Sequence, residues 1–387
     1  MTKYGDESMR RHFQGKADVE IPQQLRQEVD AAVSRSLWTE LDARGLLLAR
    51  GEAASAMADA SRWGAALLRG VVEHCYQDSG QDGRATEVEF DDRQAAARIE
   101  LALAFGSATA RLLTPPRRTG REPAGSVDLL CAMFNLGIGL IDGLCDGTPP
   151  LGLRFLRVIQ AVDLSGAARD RWPAGRLRSA LPASLAADPT VAFTARIIEA
   201  FLDLLHSCFP GGEGSALRDH VGAQLEEALE AESQSVNRPI GLVAGDQLIE
   251  CSRRTSVLPF LIIEHLATGG QGLCSPTAGT LLGEAMWRID DLVDLAQDAS
   301  LDALNAVSLG ATEDPRPATA PGPVAALERV LTSHAIPLAA AEAAESLDAG
   351  LRAARRGGAG SEDRRLFLSF VQRYAGIAAS DGLRLGP

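Results

Sequence analysis

The sequence predicts an all-α fold, built as a single large helical bundle. Apolar residues recur at spacings of three and four along most of the 387 residues, and strict apolar–polar alternation is scarce. Aromatic residues make up only 5% of the chain and alanine is abundant, which favours closely packed helices over sheets. Hydrophobic residues make up 46%, enough to bury a large core. We expect one α-helical domain over residues 1–387, with residues 1–21 as a flexible N-terminal arm.

The helices are predicted from apolar periodicity, and the breaks between them from Pro- and Gly-rich segments. In chain order the predicted helices are Pro22–Arg50, Ala53–Gln77, Asp92–Leu113, Ser126–Asp146, Leu151–Val162, Thr190–Cys208, Ser215–Val236, Gly241–Thr268, Pro276–Asp298, Leu301–Ser308, Pro323–His334, Pro337–Arg355 and Ser361–Leu385. The segment Gly310–Pro323 is either a lid or a plain surface connection.

Charge and cysteine content exclude several classes of protein. The net charge of −13 argues against a nucleic-acid binder, which usually carries a basic face. The six cysteines form no CxxC pair and lie mostly in apolar helical segments, so we expect reduced thiols and a cytoplasmic protein. No uninterrupted apolar stretch reaches the length of a membrane span, so no transmembrane segment is expected.

Three aspartates lie together in the middle of an apolar helix. Asp290 and Asp294 are four residues apart and therefore share one helix face, with Asp291 towards the same side. Their mutual repulsion and desolvation would be relieved by a bound cation. The alternative is an acidic face that is simply solvated, and short acidic patterns alone do not decide between the two.

A second pair of aspartates has the same spacing on another apolar helix. Asp142 and Asp146 are four residues apart, in a segment that is otherwise made of apolar residues and glycine. Mg²⁺ prefers oxygen ligands and typically takes one or two carboxylates together with substrate phosphates. Two facing helices that each present such a pair would leave coordination positions open for a diphosphate.

A basic segment lies between the two aspartate pairs. Arg253, Arg254 and Thr255 directly precede an apolar run. Arginine makes bidentate contacts to phosphate oxygens, and threonine can donate one more hydrogen bond. The alternative is plain surface charge, but its position between the aspartate helices favours a diphosphate clamp.

These motifs resemble the class I isoprenoid synthases, the all-α group of trans-prenyl diphosphate synthases and terpene cyclases. The segment Leu282–Asp294 is similar to their second aspartate motif, with Trp287 and Arg288 where the family usually has Phe and Gln. Arg254 and Thr255 resemble the family's Lys-Thr segment, and Gln224 resembles its Gly-Gln helix. Asp142 to Asp146 resembles the first aspartate motif, with Gly143 in place of the second aspartate.

The resemblance implies a bundle of the isoprenoid synthase type with a central active-site cavity and Mg²⁺ as the cofactor, three ions with bound diphosphate. It implies five metal-binding and catalytic aspartates together with a catalytic arginine, and a set of substrate contacts. The metal ligands are Asp142, Asp146, Asp290, Asp291 and Asp294, the catalytic arginine is Arg254, and the substrate contacts are Arg253, Arg254, Thr255, Gln224, Phe134, Asn135 and Trp287. A homodimer is implied by the resemblance alone.

One departure from the family's pattern changes the expected chemistry. Elongating prenyl synthases carry an Arg-Arg pair just after the first motif, which holds the diphosphate of the isopentenyl donor. Here Asp146 is followed by Gly-Thr-Pro-Pro-Leu-Gly, with no arginine before Arg154. We therefore expect a terpene synthase that ionises one allylic isoprenyl diphosphate and lets the cation cyclise or lose a proton. The alternatives are a trans-prenyltransferase, either chain-elongating or of the squalene and phytoene synthase kind, and a non-catalytic helical partner subunit.

Overall fold

A computed structural model describes residues 20–76, 93–114, 124–170, 173, 175–236, 245–270, 277–300, 305–310 and 322–377. Within these ranges every regular element is a helix, which confirms the all-α class. The helices are α1 (Gln23–Ala43), α2 (Arg50–Tyr76), α3 (Arg93–Leu113), α4 (Ala124–Gly147), α5 (Pro149–Ala161), α6 (Leu164–Arg169), α7 (Arg176–Ala180), α8 (Ala183–Ala186), α9 (Pro189–Cys208), α10 (Glu213–Val236), α11 (Gly245–Thr268), α12 (Ala278–Ser300), α13 (Ala306–Gly310), α14 (Pro323–Thr332), α15 (Ala335–Arg356) and α16 (Ser361–Tyr374).

Helix α4 lies at the centre of the bundle and packs against α3, α5, α9 and α11. Its segment Ser126–Gly147 has a mean hydropathy of 1.6, which makes it the one helix among the described residues that is long and apolar enough to cross a membrane. In this structure 56% of that segment is buried inside the protein. Such burial is typical of a core helix, because its apolar surface is already covered by neighbouring helices.

Helix α12 is held closely between α11 and α15. A Cβ atom added at Gly283 would lie 2.7 Å from Cα of Val257 on α11. One added at Gly350 on α15 would lie 2.8 Å from Cδ2 of Leu282. Real Cβ atoms do not approach other atoms this closely. At Gly283 the nearest atom is backbone, so α12 keeps its distance from α11 only with glycine there, whereas at Gly350 the Leu282 side chain would have to shift.

The observed helices differ from the predicted ones mainly at Gly and Pro. Helix α1 ends at Ala43, before Gly45, whose φ of +62° is compatible with a turn but not with a continuing helix. The predicted break after Val162 contains the short helices α6, α7 and α8. Helix α13 begins at Ala306, later than predicted. The predicted lid and the N-terminal arm lie almost wholly outside the described residues.

Candidate active site

Six acidic side chains from three helices lie close enough for their charges to affect ionisation within the group. Four of them belong to the two predicted aspartate pairs on α4 and α12. Glu232 and Asp298 were not predicted. These residues, called the carboxylate cluster below, are Asp142 and Asp146 on α4, Glu232 on α10, and Asp290, Asp294 and Asp298 on α12.

The pKa of Asp146 lies well above the ordinary value for an aspartate. Desolvation is the main cause, and the negative charges of Asp142, Glu232, Asp290 and Asp298 add to it. Desolvation likewise raises the pKa of Asp142. A carboxylate on α4 is thus sensitive to charges on both α10 and α12.

The carboxylates on the other two helices are affected in the same way. Burial raises the pKa of Asp290 to about 8, assisted by Asp294, Asp142 and Asp298. Burial and the charge of Asp142 raise the pKa of Glu232 to about 8. Helix α11 packs against both α4 and α12. Because Asp290 on α12 adds to the raised pKa of Asp146 on α4, the acids of these two helices lie near each other.

The carboxylate cluster is partly exposed to solvent. Asp146 is exposed, and Asp142, Glu232, Asp290 and Asp294 are half-buried. Because Asp146 is in contact with solvent, its charge is screened, so the repulsion between it and the other acids is weaker than it would be in a closed core.

Unlike the other aspartates of its motif, Asp291 directs its carboxylate towards the start of α13. It is 6% exposed, and its Oδ2 accepts a hydrogen bond of 3.1 Å from the backbone N–H of Ala306. Burial and the charge of Asp290 raise its pKa to about 8. Its carboxylate therefore holds the first residue of α13 in this structure.

Two polar contacts link the carboxylate cluster to its surroundings. The hydroxyl of Tyr374 on α16 donates a hydrogen bond to Oδ1 of Asp290. The thiol of Cys145 donates to the carboxylate of Glu232, and burial raises the pKa of that thiol. Neither Tyr374 nor Cys145 was predicted as part of the site.

The predicted basic residues lie within α11 and are engaged with other helices. Arg253 pairs with Glu284 of α12 at 2.7 Å and with Glu250 at 3.1 Å. Arg254 pairs with Glu227 of α10 at 2.6 Å. The hydroxyl of Thr255 donates to the carbonyl of Ser252 at 2.7 Å.

The predicted polar contacts Gln224, Asn135 and Trp287 all bridge helices. Oε1 of Gln224 accepts a hydrogen bond of 2.8 Å from Nδ1 of His265, which joins α10 to α11. Nδ2 of Asn135 donates to the carbonyl of Ala102 at 2.8 Å, joining α4 to α3. The indole N–H of Trp287 donates to Oγ of Ser252 at 3.1 Å, joining α12 to α11.

Phe134 lines an apolar cavity between α4, α6, α9 and α10, and its ring lies 5.6 Å from that of Phe201. The other lining residues are Met133, Gly137, Ile138, Ile141, Leu164, Ile198, Leu202, Leu225 and Leu229. Leu229 and Glu232 are three residues apart on α10, and Ile141 and Cys145 are four apart on α4. Because such spacings share a helix face, the cavity lies next to the Glu232 end of the carboxylate cluster.

The donor atoms are of the type that Mg²⁺ prefers, because all six members of the carboxylate cluster offer hard oxygen ligands. In the part of the chain that the structure describes, no three acidic, histidine or cysteine side chains converge closely enough to hold a cation by themselves. Mg²⁺ needs only one or two protein carboxylates when phosphate and water supply the remaining ligands.

Models of known protein families, curated proteins and solved structures give no match to this chain.

Proposed function

We propose that this protein is a class I terpene synthase, which ionises an allylic isoprenyl diphosphate with Mg²⁺ and guides the carbocation to cyclisation or deprotonation. The observation that carries the proposal is the carboxylate cluster, in which acids of three helices lie close enough to affect one another. The charges of Glu232 on α10 and Asp290 on α12 add to the raised pKa of Asp146. Asp142 on α4 in turn raises the pKa of Glu232 and of Asp290. So many acids close together are costly without a counter-charge, and a cation removes that cost.

Mg²⁺ bound by Asp142, Asp146, Asp290, Asp294 and Asp298 would supply Lewis-acid stabilisation of the negative charge on the departing diphosphate. The aspartates of the chain orient the diphosphate by this means, and Asp291 supports them from the α13 side. Asp142, Asp146 and Asp290 support this assignment most directly, because Asp142 raises the pKa of both other aspartates and Asp290 raises that of Asp146.

The isoprenoid chain is proposed to enter at the apolar cavity beside Phe134, Ile138 and Leu229, which has a volume of about 30 Å³ in this structure and must widen to admit it. The cavity lies next to the carboxylate cluster and has only apolar lining residues, as a hydrocarbon chain and an unquenched carbocation both require. The aromatic faces of Phe134 and Phe201 attract cationic carbon.

Arg253 and Arg254 are proposed to contact the diphosphate only after exchanging partners. Each is now paired with a glutamate, and exposed or half-exposed ion pairs of this kind contribute only about 0 to 1 kcal/mol. Replacing a carboxylate partner with a phosphate oxygen therefore costs little. A role for Thr255, Gln224, Asn135 and Trp287 in substrate binding stays a prediction, as do the homodimer and the cytoplasmic location.

The test is turnover with Mg²⁺ and geranyl, farnesyl or geranylgeranyl diphosphate, measured as released inorganic diphosphate and as hydrocarbon or alcohol product. The double variant Asp290→Ala/Asp294→Ala is expected to lose diphosphate release. The matched control is Glu226→Ala/Glu230→Ala, which removes two exposed acids at the same spacing on α10 and is expected to keep it.

Three other outcomes would overturn the proposal. Unchanged turnover in the Asp290→Ala/Asp294→Ala variant would exclude the mechanism. A longer diphosphate formed only when isopentenyl diphosphate is added would identify an elongating transferase. Absence of both product and diphosphate binding would identify a non-catalytic helical subunit.

A further inference from the structure

Asn305 is a buried polar residue that joins α12 to α13. It lies just before α13 and is 3% exposed. Its Nδ2 donates to the carbonyl oxygen of Asp291 at 2.6 Å and to Oδ2 of Asp298 at 2.8 Å. Its Oδ1 accepts from the backbone N–H groups of Val307 at 3.0 Å and Ser308 at 3.4 Å.

The two ends of this amide do different things. The oxygen caps the first turn of α13, where backbone N–H groups have no partner within the helix. The nitrogen holds α12 twice, once at its backbone and once at the carboxylate of Asp298. Asp298 is a member of the carboxylate cluster and affects the ionisation of Asp146 and Asp290.

We propose that Asn305 is a positioning residue for the metal-binding carboxylates, which fixes Asp298 through its amide nitrogen and ties it to α13. This inference rests on the proposed function, because it assigns Asp298 to the cation site. One oxygen of Asp298 is occupied by the amide, so its second oxygen is directed by that contact.

The physical basis is the orientation of a ligand by a neighbouring hydrogen bond. A carboxylate at the end of a side chain rotates about χ2, and a fixed donor on one oxygen limits that rotation. Loss of such outer contacts typically lowers metal affinity about 10- to 100-fold. The backbone N–H of Ala306, the residue after Asn305, donates to the carboxylate of Asp291. The start of α13 therefore contacts α12 at both Asp291 and Asp298.

The experiment separates positioning from capping with two variants and a control. Asn305→Ala removes both the cap and the amide donors. Asn305→Ser keeps an oxygen that can cap α13 but lacks the amide donor that reaches Asp298. Asp188→Ala is the control, since Oδ1 of Asp188 caps α9 through the N–H groups of Thr190 and Val191, and α9 carries no member of the carboxylate cluster.

Binding of Mg²⁺ alone is measured by calorimetry on the full chain, with thermal unfolding of the metal-free protein recorded in parallel. Both Asn305 variants are expected to bind Mg²⁺ about 10-fold more weakly than the wild type. Asp188→Ala is expected to unfold at a lower temperature with unchanged Mg²⁺ affinity. Asn305→Ser also answers the question if Asn305→Ala does not fold.

The proposal would be overturned if Asn305→Ser bound Mg²⁺ with an affinity within about twofold of the wild type, because the expected loss is about 10-fold. A wild-type chain that binds no Mg²⁺ would overturn it as well. A wild-type chain that binds Mg²⁺ but releases no diphosphate from any allylic substrate would overturn the proposed function alone, because the affinity comparison still tests the role of Asn305.

Discussion

The hydroxyl of Tyr374 donates a hydrogen bond to the carboxylate of Asp290, although the two residues lie 84 positions apart in the chain. This contact joins α16 to the acidic stretch of α12. It makes Tyr374 a hydrogen-bond donor to one of the proposed metal ligands. The last described helix of the chain therefore contributes directly to the candidate site.

Replacing Tyr374 with phenylalanine is expected to lower the free energy of unfolding of the metal-free protein by about 1 kcal/mol. The reason is that Asp290 loses a hydrogen-bond donor while the aromatic ring is kept. Turnover at saturating Mg²⁺ is expected to fall as well. Chemical denaturation and diphosphate release measure the two effects, and a variant equal to the wild type in both would contradict the contact.

Replacing Asp146 with asparagine is expected to raise the melting temperature of the metal-free protein at pH 8. The folded-state pKa of Asp146 is raised, so its contribution to stability is present at low pH and is lost as pH rises through that pKa. The neutral amide avoids this loss, while Mg²⁺-dependent turnover is expected to fall. At lower pH the gain in stability should shrink, because a larger fraction of the wild-type carboxyl is then protonated.

The control for Asp146 is Asp30→Asn, which changes an exposed aspartate of α1. It is expected to leave the melting temperature and turnover unchanged. A destabilised Asp146→Asn protein at pH 8 would show that the carboxylate cluster is not under mutual repulsion.

His265 is expected to make the protein less stable as pH falls. Burial, with the charge of His220, lowers the pKa of His265 to about 4, against 6.5 when unperturbed. Between pH 6.5 and pH 4 the imidazole of His265 is protonated in the unfolded chain but largely neutral in the folded chain. The free energy of unfolding therefore falls as pH falls from 6.5 towards 4. At pH 5 the loss amounts to about 2 kcal/mol.

The measurement compares unfolding free energies of the wild type and His265→Gln at pH 7 and pH 5. The wild type is expected to lose about 2 kcal/mol more than the variant between these values. Substitution of the exposed His334 by Gln serves as the control. Equal pH dependence of the wild type and His265→Gln would contradict the lowered pKa.

Filling the apolar cavity is expected to change substrate preference. A Cβ atom at Gly137 would lie 3.6 Å from Cγ2 of Ile197, an ordinary contact, so a larger side chain at this position extends into the cavity. Gly137→Leu is expected to lower turnover of geranylgeranyl diphosphate more than that of geranyl diphosphate. The ratio of kcat/KM for the two substrates measures the effect.

Gly70→Leu is the matched control for the cavity. A Cβ atom at Gly70 also lies 3.6 Å from a leucine side chain, that of Leu129, but Gly70 does not line the cavity. Its substrate ratio is expected to equal that of the wild type. If Gly137→Leu also had the wild-type ratio of kcat/KM for the two substrates, the isoprenoid chain would not occupy this cavity.

The sequence was sufficient for the helical fold because its signals are local. Apolar periodicity locates α4 and α12, and spacings of four place Asp142 with Asp146 and Asp290 with Asp294. Asp298 lies four residues after Asp294 on α12, so the same spacing of four also predicts that it shares their helix face. Helix α1 is shorter than the apolar periodicity predicts, because Gly45 adopts a φ of +62° that ends the helix.

The contacts between helices could not be predicted in this way. Adjacent residues on a helix point about 100° apart, so Arg253 faces α12 while Arg254 faces α10, and spacing alone does not reveal either neighbour. Glu232 lies among several other acids of α10 and has no distinguishing pattern. Tyr374 and Asn305 join the site only through tertiary packing.

The close approach of α11 and α12 at Gly283 fixes the position of the α12 acids independently of the shape of the apolar cavity. The height and rotation of α12, and with them the acidic residues, are set where this glycine meets Val257. The apolar cavity is built from α4, α6, α9 and α10 instead. Substitutions that reshape the cavity thus leave the acids of α12 in place. They reach the carboxylate cluster only through α4 and α10, which form the cavity wall and also carry Asp142, Asp146 and Glu232.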